Sequence, residues 1–171
     1  MGYGFDAPDL GVLHEPGCLG RRRRKYSLIR TTDREYIRSV FTHPAIYPHV
    51  CDDYNADPGA WEPVITDEVV YLRPEEGGAC FLFHPHSRVL WEVHSAVLPE
   101  YRNHSLEYVK ACAAWLQANT TCKCLMTLVP EGNYRARRLA EAVGMRLTGT
   151  LPNSFLKGGA LVDQALLTME I

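Results

Sequence analysis

The chain has 171 residues, enough for one domain with a substantial core and short for two. Apolar residues make up 46% and charged residues 22%, an ordinary globular balance that argues against disordered and membrane classes. With 18 Lys and Arg against 20 Asp and Glu the net charge is −2, which argues against nucleic acid as the main partner.

No run approaches the roughly 18 apolar residues that a membrane span needs, so no membrane partner is expected. The opening "MGYGFDAPDLGVLHEPG" has neither the charged start nor the apolar block of a signal peptide, so a cytoplasmic location is expected. Residues 1–24 are rich in Gly and Pro and read as an irregular arm, and residues 25–171 read as a single domain. At the junction "RRRRK", Arg21 to Lys25, reads first as a solvated arm and second as a contact for an acidic partner or nucleic acid.

"KYSLIRTT" (25–32) carries β-formers and suggests a first strand. Asp33 is placed to cap a short helix over "REYIRSVF", whose Tyr36, Ile37, Val40 and Phe41 step by three and four. Residues 43–63 hold four prolines and read as a long loop, a length that is often functional. Its aromatic residues Tyr47, Tyr54 and Trp61 either line a pocket or pin the loop to the core.

Three strands follow as an antiparallel meander, "VITDEVVYLR" (64–73), "ACFLFH" (79–84) and "RVLWEVHSAV" (88–97), with Gly77-Gly78 and "PHS" as turns. After Pro99 the period changes: Leu106, Val109, Ala113 and Leu116 mark an amphipathic helix ending near Gln117. "KCLMTLVP" (123–130) is a buried-type strand. "NYRARRLAEAVGM" (133–145) is a second helix with Asn133 as N-cap and Gly144 as its stop. Strands 145–151 and 160–171 close the chain around a "PNSFLKGG" turn. The strand–helix–strand unit at 88–129 requires a parallel pair, so a mixed α/β sheet, mostly antiparallel and flanked by helices, is expected.

Of the 6 cysteines, at 18, 51, 80, 112, 122 and 124, Cys122 and Cys124 share a strand face without a second close pair to complete a zinc set, and they read as reduced thiols. The histidines form no helical pair with an acid between them, and His84 and His86 flank Pro85 beside a turn. No metal site is expected.

"NYRARRLAEAVGM" resembles the Asn-x-x-Ala-x-x-Leu-x-x-x-Gly-Phe signature of the GNAT family of N-acetyltransferases, with Asn133, Ala136, Leu139 and Gly144 matching and Met145 in the aromatic position. The order of elements over residues 25–171 fits the same family, and the C-terminal stretch is most similar to the branch that acetylates ribosomal-protein N-termini. The family's pyrophosphate loop, Arg/Gln-x-x-Gly-x-Gly/Ala after a Val-x-Pro strand end, is matched by Val97, Pro99 and Arg102, while Ser105 and Glu107 stand at the two glycine positions. A serine side chain obstructs close backbone approach, and Glu107 brings a carboxylate near a place meant for phosphate oxygens.

The resemblance implies acetyl-CoA as co-substrate, held by Val97, Arg102, Asn103, His104, Ser105, Asn133, Ala136 and Arg137. It implies an amine acceptor, on a small molecule or a protein N-terminus, with a homodimer among the candidate assemblies. In "WEVHSAV" the strand alternation puts Glu92 and His94 on one face, against Trp91, Val93, Ser95 and Val97 on the other. Either is a candidate general base; the alternatives are a buried, hydrogen-bonded Glu-His pair or the solvent face of a partly exposed sheet. Many family members carry a tyrosine seven residues after the signature asparagine, where this chain has Ala140, and the acid role stays unassigned. The competing reading is a GNAT-fold module that binds without catalysis.

Overall fold

A computed structural model describes residues 26–171. The arm over 1–24, the cations Arg21 to Lys25 and Cys18 lie outside the described residues.

Seven strands form one sheet in the order β1-β2-β3-β4-β5-β7-β6. They are β1 (Leu28–Arg30), β2 (Val70–Pro74), β3 (Ala79–Pro85), β4 (Leu90–Val97), β5 (Cys124–Pro130), β6 (Arg146–Lys157) and β7 (Ala160–Glu170). Every neighbouring pair is antiparallel except β4 and β5. Two parallel strands need a crossover between them, and α3 (Ser105–Asn119) supplies it. The other helices are α1 (Arg34–Phe41), the four-residue α2 (Tyr47–Val50) and α4 (Tyr134–Val143). This is the mixed sheet the sequence predicts.

Period-two alternation divides the core. Phe81 and Phe83 of β3 and Trp91 and Val93 of β4 pack with Tyr108, Cys112 and Leu116 of α3 on one face. Cys80 and Ala96 pack with Ile37, Val40 and Phe41 of α1 on the other. Local signals act as written in the sequence. The Asp33 carboxylate accepts the Tyr36 N–H at 3.0 Å. Asn133 Oδ1 accepts the Ala136 N–H at 3.2 Å, and Gly144 ends α4 in the left-handed region at φ 112°.

Two predicted boundaries move. Residues 64–69 are not strand: Thr66 Oγ1 accepts the Val69 N–H at 3.2 Å, a polar bend that delays β2 to Val70. The "PNSFLKGG" turn is mostly strand, because β6 runs on to Lys157 and the reversal falls at Gly158 and Gly159. β6 is an edge strand whose register with β7 shifts between Leu147 and Gly149 and again between Leu151 and Phe155. Pro152 sits in that second irregularity, where a missing N–H is tolerated.

The loop over 43–63 contains α2 and a 3-10 turn at Asp53–Asn55. Tyr47 is buried and its hydroxyl donates to the carbonyls of Asn55 at 2.6 Å and Asp57 at 3.1 Å. Trp61 stacks on Phe41 with ring centroids 5.5 Å apart. Both are therefore anchors, while Tyr54 is 86% exposed. The β6–β7 hairpin pins the same loop, as Lys157 Nζ donates to Cys51 O at 2.9 Å and the Gly159 N–H to Asp53 Oδ2 at 2.7 Å.

Candidate functional site

β4 and β5 pair over only three positions, Leu90 with Cys124, Trp91 with Leu125 and Glu92 with Met126. β3 holds β4 as far as Val97, and β7 holds β5 as far as Pro130, so each strand continues straight while the two diverge. From Val93 onward β4 has no strand partner on its β5 side, and alternate N–H groups there face an open wedge. A cleft of about 730 Å³ fills the wedge. Its walls include Glu92, His94 and Val97 from β4, Thr127 and Val129 from β5, Ala136 and Leu139 from α4, and Ile46 and His49 from the loop around α2.

Glu92 and His94 share the sheet face predicted for them, and both line the cleft. Glu92 is 6% exposed, and three imidazoles surround its carboxylate. His86 Nε2 lies 2.7 Å and His84 Nε2 3.5 Å from Oε2, while His94 Nε2 lies 3.4 Å from Oε1. His84 and His94 also approach each other, Nε2 to Nε2, at 3.3 Å, with their rings nearly parallel. β3 supplies His84 because it stands directly across the ladder from Glu92. His94 lines the cleft with 43% of its side chain exposed. Loss of hydration there lowers its pKa below the usual histidine value; Glu92 opposes the shift, and His84 and His86 reinforce it.

The residues expected to hold acetyl-CoA separate into two groups. Val97, Arg102, Ser105, Asn133 and Ala136 line the cleft. Arg102 Nη2 also donates to Ala45 O at 3.3 Å, which ties the start of α3 to the loop before α2. Asn133, besides capping α4, donates from Nδ2 to His49 O at 3.1 Å across the cleft. Asn103, His104 and Arg137 stand outside that lining. His104 Nδ1 is engaged by the Tyr26 hydroxyl at 2.7 Å. Arg137 pairs with Glu141 at 3.0 Å and borders a smaller neighbouring pocket of about 260 Å³.

A 3-10 turn, Pro99–His104, leads into α3. Ser105 has ordinary helical dihedrals, φ −54° and ψ −42°, so this position makes no demand for glycine, and its N–H is spent on Arg102 O. The positive charge at the cleft is carried by Arg102 and by Arg135. Ala140 is buried at the cleft wall where a tyrosine would project, and Tyr134 borders the cleft instead. The residues that sequence reasoning missed, Arg135, His49 and Phe155, reach the cleft through contacts between distant elements, and no local pattern marks them.

No family profile matches the chain, and no curated protein matches it in sequence. Solved structures do resemble it. A phosphinothricin acetyltransferase of the GNAT superfamily from Sinorhizobium meliloti, in complex with acetyl-CoA, aligns with a TM-score of 0.67 at 15% identity over 86% of this chain and 89% of its own. Spermidine N-acetyltransferase from Vibrio cholerae, in complex with CoA and spermine, aligns at 0.66 and 12% identity over 85% and 95%. An acetyltransferase of the GNAT family from Bacillus anthracis aligns at 0.52 and 16% identity over 60% of this chain, which spans 66% of that protein's length. At these identities the likeness concerns architecture: this chain has the fold of the GNAT acetyltransferases.

Proposed function

We propose that residues 25–171 form an acetyl-CoA-dependent N-acetyltransferase acting on an amine, with a small amine as the acceptor and the cytoplasm as the place of action. The observation that carries this reading is the wedge between β4 and β5, with Glu92 and His94 on one wall and Arg102 and Arg135 at its margin. Structural neighbours named for spermidine and phosphinothricin support the small-amine class.

The residues divide the work as follows. An acceptor amine enters mostly as ammonium, with a pKa of about 8 to 10. His94, whose pKa is lowered by loss of hydration, accepts that proton, directly or through a water. The Glu92 carboxylate, with Oε1 at 3.4 Å from His94 Nε2, steadies the positive charge that the ring gains. The freed nitrogen attacks the thioester carbonyl carbon, and β4 N–H groups beyond Glu92 donate to the carbonyl oxygen as it gains charge. The C–S bond breaks and coenzyme A leaves as a thiolate, which takes up the second proton that the nitrogen sheds as the amide forms; with a thiol pKa near about 8.5 it needs no dedicated acid. Arg102, Arg135 and the cleft faces of Ser105 and Ala136 serve the coenzyme, with Asn133 fixing the start of α4.

A module that binds without catalysis is the second reading, and the spent Ser105 N–H favours it. Thermal unfolding with and without acetyl-CoA separates the two. Ligand at a hundred times its dissociation constant adds about 2.7 kcal/mol. No shift at millimolar acetyl-CoA overturns the transferase reading.

A further inference from the structure

We propose that His84, Glu92 and His94 form a binding site for a divalent transition-metal ion of the zinc class. Their ligand atoms converge: one atom from each of the three side chains lies within 4.8 Å of the other two. The closest separations are 3.3 Å between the two Nε2 atoms, 3.4 Å from His94 to Oε1 and 3.5 Å from His84 to Oε2. Ligands about 2.0–2.1 Å from one tetrahedral zinc ion stand roughly 3.3–3.4 Å apart, so the two imidazole nitrogens already span one edge of such a polyhedron. Each nitrogen faces a different oxygen of the Glu92 carboxylate, and a small rotation of that group brings one oxygen to both.

The chemistry of the donor set agrees. Two imidazoles and one carboxylate are a set that zinc accepts with a fourth position open. At most one proton can lie between the facing Nε2 atoms of His84 and His94, so one of the two presents a lone pair to the other's hydrogen. A cation between them engages both lone pairs at once. His86 completes the arrangement from outside: its Nε2, at 2.7 Å from Oε2, is at hydrogen-bond distance and orients the carboxylate. The carboxylate itself is 6% exposed and cannot swing away to water. Backbone pairing of β3 with β4 in continuous register from Ala79 to Pro85 fixes the spacing of His84, Glu92 and His94, and the His86 N–H donates to Leu90 O at 2.9 Å just beyond it.

An ion held here would engage the imidazole that accepts a proton during acetyl transfer, so metal and turnover compete. That consequence rests on the transferase reading; the binding site does not.

The test uses the full chain, freed of metal with a chelator and titrated calorimetrically with Zn²⁺ in the absence of acetyl-CoA. One equivalent is expected to bind, with affinity lowered at least about a hundredfold in His84→Ala and in His94→Ala and about tenfold in His86→Ala. His43→Ala, at a histidine outside the cluster, is expected to bind as the parent does. Co²⁺ used as a spectroscopic probe should give visible absorption without a thiolate charge-transfer band, which separates this site from the cysteines. Unchanged binding in the His84→Ala/His94→Ala double variant, a thiolate band, or no binding by the parent chain overturns the proposal. If an alanine variant loses its circular dichroism, the Co²⁺ spectrum of the parent and the milder His84→Gln and His94→Asn variants decide the question.

Discussion

Glu92 faces Met126 across the parallel pair of β4 and β5, and it is the last β4 residue with a β5 partner. The carboxylate therefore stands at the root of the wedge, and His94 stands one step along the same face, inside it. Replacing His94 by Ala is expected to lower kcat about 10²–10⁴-fold, the usual worth of a positioned base, with the KM for acetyl-CoA little changed. Glu92→Gln keeps the shape and removes the charge, so a smaller loss in kcat is expected. Steady-state kinetics with a polyamine acceptor reads both, and full activity in both variants removes the assignment.

Asn133 performs two tasks with one amide, and substitution can separate them. Asn133→Asp keeps the oxygen that caps α4 and discards the N–H donated to His49 O. Asn133→Ala discards both. Chemical denaturation should show a loss of about 1–2 kcal/mol in the alanine variant and less in the aspartate variant. Acetyl-CoA affinity should fall in both, since the tie to α2 crosses the cleft. Equal stability in the two variants contradicts the capping role.

Gly78 cannot carry a side chain. Its φ is +79°, and a Cβ built there falls on the ring of Tyr101. Its carbonyl also accepts the Leu98 N–H at 2.9 Å, which joins the β2–β3 turn to the segment leading into α3. Gly78→Ala is expected to cost about 2–5 kcal/mol, from backbone strain together with the clash. Much of the clash should be relieved in the Gly78→Ala/Tyr101→Ala double variant, a coupling that a double-mutant cycle measures.

Burial pushes the Cys80 thiol from its ordinary 9.0 up to about 12. The folded chain then keeps this proton at a pH where the unfolded chain has lost it. With more protons bound to the native state, stability falls as pH rises, starting near 9.0 and continuing to about 12. Tyr36 follows the same direction, because burial raises it from 10.0 to about 12. Denaturation midpoints between pH 8 and 11 should fall less steeply in Cys80→Ala than in the parent. At pH 8 a thiol reagent should spare Cys80 and Cys112 in the native protein and modify Cys51, which is partly exposed.

Much of the architecture was legible because it is written locally. Asn133 and Gly144 announce the two ends of α4, Asp33 announces α1, and the alternation of "WEVHSAV" assigns Glu92 and His94 to a common face. What stayed hidden depends on register between strands. His84 and His86 look like residues beside a turn until β3 is laid against β4 with His84 opposite Glu92, and nothing in the spacing along the chain fixes that pairing. The resemblance singles out Arg137 on α4, whereas Arg135 is the arginine that lines the large cleft. Arg137 pairs with Glu141, its i,i+4 neighbour on the same helix, and only the packing of α4 turns Arg135 toward the large cleft. The end of β6 was obscured by turn residues that an edge strand tolerates and an interior strand would not.

That tolerance has a consequence for association between molecules. β6 is the outermost strand, and an outermost strand that ran straight for 12 residues would offer an unbroken row of amides and carbonyls to a second chain. Pro152 lacks an N–H, and Asn153 is turned into the left-handed region at φ 50°, so the row is interrupted near its middle. A newcomer finds two short remnants with different register where one long template would otherwise be. The same irregularity that hid the second half of β6 from the sequence pattern blunts this edge against strand addition.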